Sequence, residues 1–189
     1  MRLYLIRHAE RGHGEEQDTL TSEGMEQSKK LAEYLKKINV DKIICADTNR
    51  ARKTAEPFLL FNLKNITIEY TKEANEQDIG DLHGKTGQEW RDAVSNSGLK
   101  KEEFTPPNGE SAIDAYNRAV LFVDRLKKEG AKNILVFSHS GFISNVASIL
   151  LGKIRQESTN YKSDFCALTY FELSNDFKVK DYKINEKII

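Results

Sequence analysis

Cysteine is scarce in this chain of 189 residues: there are only two, Cys45 and Cys166. Each sits in an apolar context, DKIICA and DFCALTYF, so both read as buried reduced thiols rather than a disulfide or a metal site, which would need more ligands nearby. An excess of charge of one sign is also missing, with 29 Lys and Arg against 29 Asp and Glu. That balance argues against a dedicated nucleic-acid or anionic-membrane surface, whose footprints are net basic, while leaving room for a local basic pocket. No apolar run reaches membrane-spanning length, and the stretch Leu3 to Ile6 is too short for a signal-peptide core. No internal repeat or low-complexity tract is present. The expectation is a cytoplasmic protein with one domain over residues 1–189 and no membrane partner.

What is there is an alternation of strands and helices. Arg2–Arg7 reads as a strand, followed by a polar loop from His8 to Leu20. Thr21 can cap a helix with apolar positions Met25, Leu31, Ala32, Leu35 and Ile38. Asp41–Cys45 is expected as a second strand, and Thr48–Phe61 as a helix broken or kinked at Pro57. Asn65–Tyr70 is expected as a third strand. Residues 71–85 read as a loop, and a short helix follows around Gln88–Val94. Helix Ser111–Glu129 carries Ile113, Tyr116, Val120, Val123 and Leu126 along one face. A strand over Asn133–Phe137, a helix over Gly141–Leu151 and two last strands near 165–173 and 177–184 complete the order. Such alternation predicts an α/β three-layer sandwich, a largely parallel central sheet flanked by helices.

Ligands of parallel sheets bind beyond the carboxyl ends of the strands. His8 and His139 both fall there, with Arg7, Arg50, Arg52, Glu76, Ser138 and Ser140 in neighbouring segments. Guanidinium forks beside two imidazoles suit a phosphate, and a helix starting near Gly141 would add free N–H donors. A lone Arg-His pair is more often structural than catalytic; the coincidence of several such residues favours chemistry. Arg52 reads as a solvated helix residue and His13 as a loop histidine near enough to His8 to touch substrate. His83 reads equally as a pocket residue or an ordinary loop residue. Glu110-Ser111 reads as a helix cap or a pocket support, and Glu10 as a partner for a nearby arginine.

RHAE at 7–10 resembles the Arg-His-Gly-Glu signature of the histidine phosphatase superfamily, also called phosphoglycerate mutase-like. LTSEGMEQSKKLAEYL, NRARKTAE, EQDIGDLHG, PPNGES and VFSHSGFI resemble further family segments in the correct order. The resemblance covers residues 1 to about 150 and implies a phosphatase needing neither metal nor cofactor. It assigns His8 as the phosphoryl-accepting nucleophile, Glu76 as general acid and base, and Arg7, Arg50 and a protonated His139 as phosphate-binding groups. Ser140, Arg11 and His13 join these as substrate-contact candidates. Arg11, Gly14, Ala46 and His83 depart from the family's common residues and bear on the shape of the substrate pocket.

The expected activity is hydrolysis of a small phosphomonoester. A phosphoglycerate mutase is the alternative, but the compact chain lacks the inserts and longer tail usual in that branch. A non-catalytic phospholigand-binding module would need the arginines but neither His8 nor Glu76. A phosphohistidine protein phosphatase is disfavoured by Glu76, because a phosphoramidate leaving group is easier to expel. The sequence leaves the natural phosphomonoester and the oligomeric state open.

Overall fold

A computed structural model describes residues 1–61 and 66–189. Its six-stranded sheet is formed by β1 (Arg2–Arg7), β2 (Lys42–Ala46), β3 (Thr67–Thr71), β4 (Asn133–Ser138), β5 (Leu168–Leu173) and β6 (Val179–Glu186). Their spatial order is β3-β2-β4-β1-β5-β6. The first four run parallel to one another, β5 is antiparallel to β1, and β6 antiparallel to β5. Ile134, Leu135, Val136 and Phe137 in the middle of the sheet are fully buried in succession. An uninterrupted buried run, rather than alternation, requires cover on both faces of the sheet.

Helices α1 (Ser22–Leu35), α2 (Asn49–Leu59), α3 (Gly87–Ser97), α4 (Ala112–Leu126) and α5 (Ser140–Leu150) provide the outer layers. They pack in pairs, α1 on α2 and α4 on α5, the latter through an edge-on Phe122–Phe142 contact. Thr21, Thr48, Thr86 and Ser111 each accept a hydrogen bond at their helix's N-terminus. Such caps satisfy amides left without an intrahelical partner.

Several expectations shift in detail. Met25 is half exposed, because α1 buries Leu31, Ala32 and Leu35 and turns Met25 to solvent. Pro57 does not break α2: it lies in the last turn, and Leu60 still donates to the Glu56 carbonyl. The buried stripe of α4 is Ala115, Ala119, Phe122, Val123 and Leu126, with Ile113, Tyr116 and Val120 at its margin. Small alanines let the helix approach closely, and that signal is weaker in a sequence than Ile or Val. Within 71–85, short 3₁₀ turns occupy Lys72–Ala74 and Gly80–Leu82. The strand expected over 65–70 is seen as β3; Asn65 lies outside the described residues.

Candidate active site

Strand register builds the centre of the site. Arg7 of β1 stands opposite Ser138 of β4, and the His8 amide donates to the Ser138 carbonyl at 2.9 Å. The next residue of each strand is therefore a histidine, and their rings meet edge to face with centroids 5.1 Å apart. Both rings are buried. The His8 segment is also held from α2: the Ala9 amide donates to Thr54 Oγ1 (2.9 Å), whose hydroxyl donates to the Arg50 carbonyl (2.7 Å).

His8 Nδ1 lies 2.8 Å from the Ala9 carbonyl oxygen. A carbonyl only accepts, so Nδ1 carries the proton and Nε2 keeps its lone pair. Burial is the main cause that pushes the His8 imidazole down to about 3, and Arg50, Arg7 and Arg11 push the same way against the Ala9 carbonyl. His139 is also held well below the ordinary histidine range, first by burial and then by Arg50, His8, Arg7 and Arg118. Burial and the neighbouring guanidinium groups therefore disfavour the cation that the sequence reading expected at His139. Its Nε2 sits 3.3 Å from Thr48 Oγ1.

The two guanidinium groups approach from different elements. Arg7, at the end of β1, donates from Nη1 to the Ser163 carbonyl (2.8 Å) and stacks on Phe165, 3.9 Å from the ring centre. Arg50, in the first turn of α2, pairs with Asp18 at 2.8 Å. Asp18 also accepts from the Asn49 and Arg50 amides, so one carboxylate covers both the helix end and the guanidinium. Arg7 Nε, Arg50 Nε and His139 Nδ1 are buried without a hydrogen-bond partner among the described residues.

Glu76 arrives on the loop after β3. Its Oε2 accepts from the Gly141 amide in the first turn of α5 at 3.0 Å. A Cβ at Gly141 would overlap the Glu76 carboxylate, so only glycine lets the acid approach this helix end. Glu76 stands between two cavities. The larger, about 750 Å³, is lined by Arg11, Asp18, Thr48, Arg50, His83 and Glu110 among others; the second, about 390 Å³, by Trp90, Asn145 and Arg155 among others.

Not every candidate from the sequence joins this group. His13 is exposed and lines neither cavity. Ser140 Oγ accepts from the Ser163 amide at 3.1 Å, supporting the segment whose carbonyl holds Arg7. Among the described residues Glu10 pairs with no arginine; it accepts from Thr21 Oγ1 at 2.8 Å. His83 lines the larger cavity beside Asp78 and Gln17. Arg52 is exposed and pairs with Asp47 at 2.6 Å. Glu110 and Ser111 divide the two roles expected of them: Ser111 caps α4, and Glu110 grips Arg118. Reading the sequence missed Asp18, Phe165 and Arg118; Gly141 was marked as a helix start offering N–H donors, but not for the room it leaves the Glu76 carboxylate. Both cysteines are buried and free, with burial pushing each thiol up to about 12. Among the described residues, no group of three or more His, Cys, Asp or Glu side chains is placed to hold a metal ion, and no helix is long and apolar enough to cross a membrane.

Buried imidazoles, partly buried guanidinium groups and a carboxylate at the carboxyl edge of a parallel sheet suit an enzyme that handles phosphate esters. The sequence profile of the histidine phosphatase superfamily (branch 1) matches residues 3–184, and the chain belongs to that family. It is 28% identical to the adenosylcobalamin/alpha-ribazole phosphatase of Escherichia coli K12 over 189 aligned positions, 94% of this chain and 92% of that protein. The Salmonella typhimurium enzyme of the same name is 28% identical over 80% of each chain. The crystal structure of the alpha-ribazole phosphatase from Shigella flexneri superposes with a TM-score of 0.84 at 25% identity, covering 98% of this chain and 96% of that one. The chain is accordingly a phosphatase of this superfamily, acting on phosphomonoesters.

Proposed function

We propose that the protein hydrolyses a small phosphomonoester through a phosphohistidine on His8, with Glu76 as general acid and base and no metal in the reaction. The carrying observation is that Arg7 Nε, Arg50 Nε and His139 Nδ1 are buried without a hydrogen-bond partner among the described residues, beside a histidine whose Nδ1 is held by the Ala9 carbonyl. A buried donor without a partner costs about 1–3 kcal/mol. A phosphoryl group supplies the acceptors, and the guanidinium groups supply the positive charge that a metal provides elsewhere.

In the first step His8 Nε2 attacks phosphorus and the ester P–O bond breaks. Glu76 gives its proton to the departing alkoxide. In the second step water attacks the phosphohistidine, the P–N bond breaks, Glu76 takes a proton from that water, and inorganic phosphate leaves. The Nδ1–Ala9 bond holds the imidazole in the nucleophilic tautomer and spreads the positive charge that His8 gains.

The wall of the larger cavity is polar, with Gln17, Asp18, Asn75, Gln77, Asp78 and Asn108 among its residues. That lining favours an alcohol carrying hydroxyl or amide groups over a lipid. Because the Escherichia coli relative and the Shigella flexneri structure, each matched over most of its length, are named as alpha-ribazole phosphatases, alpha-ribazole phosphate is the first natural substrate to assay.

The decisive experiment measures nitrophenyl phosphate hydrolysis in excess EDTA and traps the phosphoenzyme by rapid quench into alkali, where phosphohistidine survives. Activity with EDTA, a base-stable phosphoenzyme, and loss of both in His8→Ala are expected. Turnover that persists in His8→Ala, or that EDTA abolishes, overturns the proposal.

A further inference from the structure

We infer that Arg118 is the positioning residue for Glu76, an inference that rests on Glu76 acting as the acid. Arg118 lies on α4, remote in sequence from the loop that bears Glu76. Its Nη1 donates to the carbonyls of Glu73 (2.7 Å) and Asn75 (2.9 Å), with Lys72 at 3.5 Å, and its Nη2 donates to the carbonyl of Glu76 itself (3.2 Å). The remaining carbonyl of this stretch, Ala74, accepts from Ser138 Oγ at 2.5 Å. Every carbonyl from Lys72 to Glu76 is thereby engaged, four of them by one guanidinium.

Arg118 is itself fixed. Glu110 receives Nη2 at 2.5 Å and Nε at 3.3 Å, the two-point geometry that a planar guanidinium favours. The same carboxylate accepts from the Asp78 amide at 3.0 Å, while the Glu110 carbonyl accepts from Gln77 Nε2 at 3.0 Å. The loop segment on each side of Glu76 is thus tied to one ion pair. The side chains of Arg118 and Glu110 are only 20% and 22% exposed.

The chemical consequence concerns one atom pair. A general acid must sit within hydrogen-bond reach of the departing oxygen, and small misplacements cost rate steeply. Glu76 is held at two points: its backbone by Arg118 and its carboxylate by the Gly141 amide. Lysine at 118 would keep the charge but lose the planar fork that spans four carbonyls. The loop then loses alignment while Arg7, Arg50 and His8, on other elements, keep theirs.

The test compares kcat/KM for an alkyl phosphate, whose alkoxide needs a proton, with nitrophenyl phosphate, whose phenolate needs little help. Arg118→Lys is expected to lose about tenfold more on the alkyl ester than on the aryl ester. In a Glu76→Gln background the same substitution is expected to add less than about twofold on the alkyl ester, since no acid remains to be aligned. Equal losses on both esters, or full additivity with Glu76→Gln, overturn the inference. Should Arg118→Lys melt too low to assay, Glu110→Gln carries the same test, and a loss that is uniform across leaving groups counts against it. If Glu76→Gln alone shows no preference for the alkyl ester, the acid assignment itself falls, which separates the two failures.

Discussion

The half of the site that carries His8 and His139 and the half that carries Glu76 are held by different means. His8 and His139 follow directly from paired strands, so the sheet's own hydrogen bonds place both rings. Glu76 sits on a loop with almost no ladder of its own and depends on side chains that arrive from α4 and on the start of α5. The guanidinium groups differ in the same sense. Arg118 spends its nitrogens on protein acceptors, whereas Arg7 and Arg50 each bury an Nε with no partner. Under the proposed function, the unpartnered nitrogens of Arg7 and Arg50 belong to the half that binds, and the saturated Arg118 to the half that supports. Under that same function, such a site fixes charge stabilisation on the sheet and leaves proton transfer dependent on a loop.

The largest expected effect tests the half held by the sheet. His8→Ala is expected to lower kcat/KM by on the order of 10⁴-fold or more on every ester, because no other group replaces the nucleophile. Steady-state assays on aryl and alkyl phosphates check this; a loss confined to alkyl esters would blur the division between the halves.

Glu76→Gln comes next, with a loss of roughly 10²–10⁴-fold on alkyl phosphates and far less on nitrophenyl phosphate. Gly141→Ala should resemble a weaker version, about 10–100-fold on alkyl esters, since the added methyl displaces the carboxylate without removing it. A series of esters with graded leaving groups measures both. Equal losses along the series would contradict the placement of the acid at the helix end.

A smaller change sharpens the binding half. Asp18 accepts from Arg50 Nη1 and is half exposed, so it competes with an incoming oxyanion without being essential to the fold. Asp18→Asn is expected to tighten competitive inhibition by inorganic phosphate about two- to fivefold. Weaker inhibition would mean that Asp18 orients Arg50 for the ligand instead of occupying it.

The least change is expected with pH. Imidazole resonances of His8 and His139 should not titrate between pH 5 and 8, because burial and the arginines disfavour both cations. For stability the sign is definite: the folded values lie below the unfolded 6.5, so the unfolded chain binds the protons. The stability these rings contribute is complete above about pH 6.5 and is lost as pH falls from there toward His8's value of about 3. Thermal melts across that window check it, and a melting temperature that rises on acidification would contradict the burial argument.

How much of this was visible in the sequence follows the same division. Consecutive apolar residues after Arg2 and Asn133 announced buried parallel strands, so the residues just beyond them, His8 and His139, were legible as neighbours. Arg50 was legible because it stands one turn beyond the next strand. Arg118 was not, since an arginine on a helix flank looks the same whether it meets water or a loop's carbonyls. Asp18 was hidden for a similar reason: only the fold brings its carboxylate to α2. The buried face of α4 was misjudged because Ala115 and Ala119 carry less apolar signal than Val120, which stands at the margin. Ser140 and His13 were included by proximity in sequence; the fold gives Ser140 Oγ a partner in the Ser163 amide and leaves His13 exposed.

The pairing of Arg7 with Ser138 also gives the molecule a clock. Strand β1 cannot meet β4 until the three helix-bearing connections between them have been made, and parallel pairing over such separations is intrinsically slow. Neither histidine has a partner ring before that moment. Regain of turnover after dilution from denaturant therefore times the closure of one long-range strand pair, which helical signals, dominated by locally formed α1 and α4, will precede.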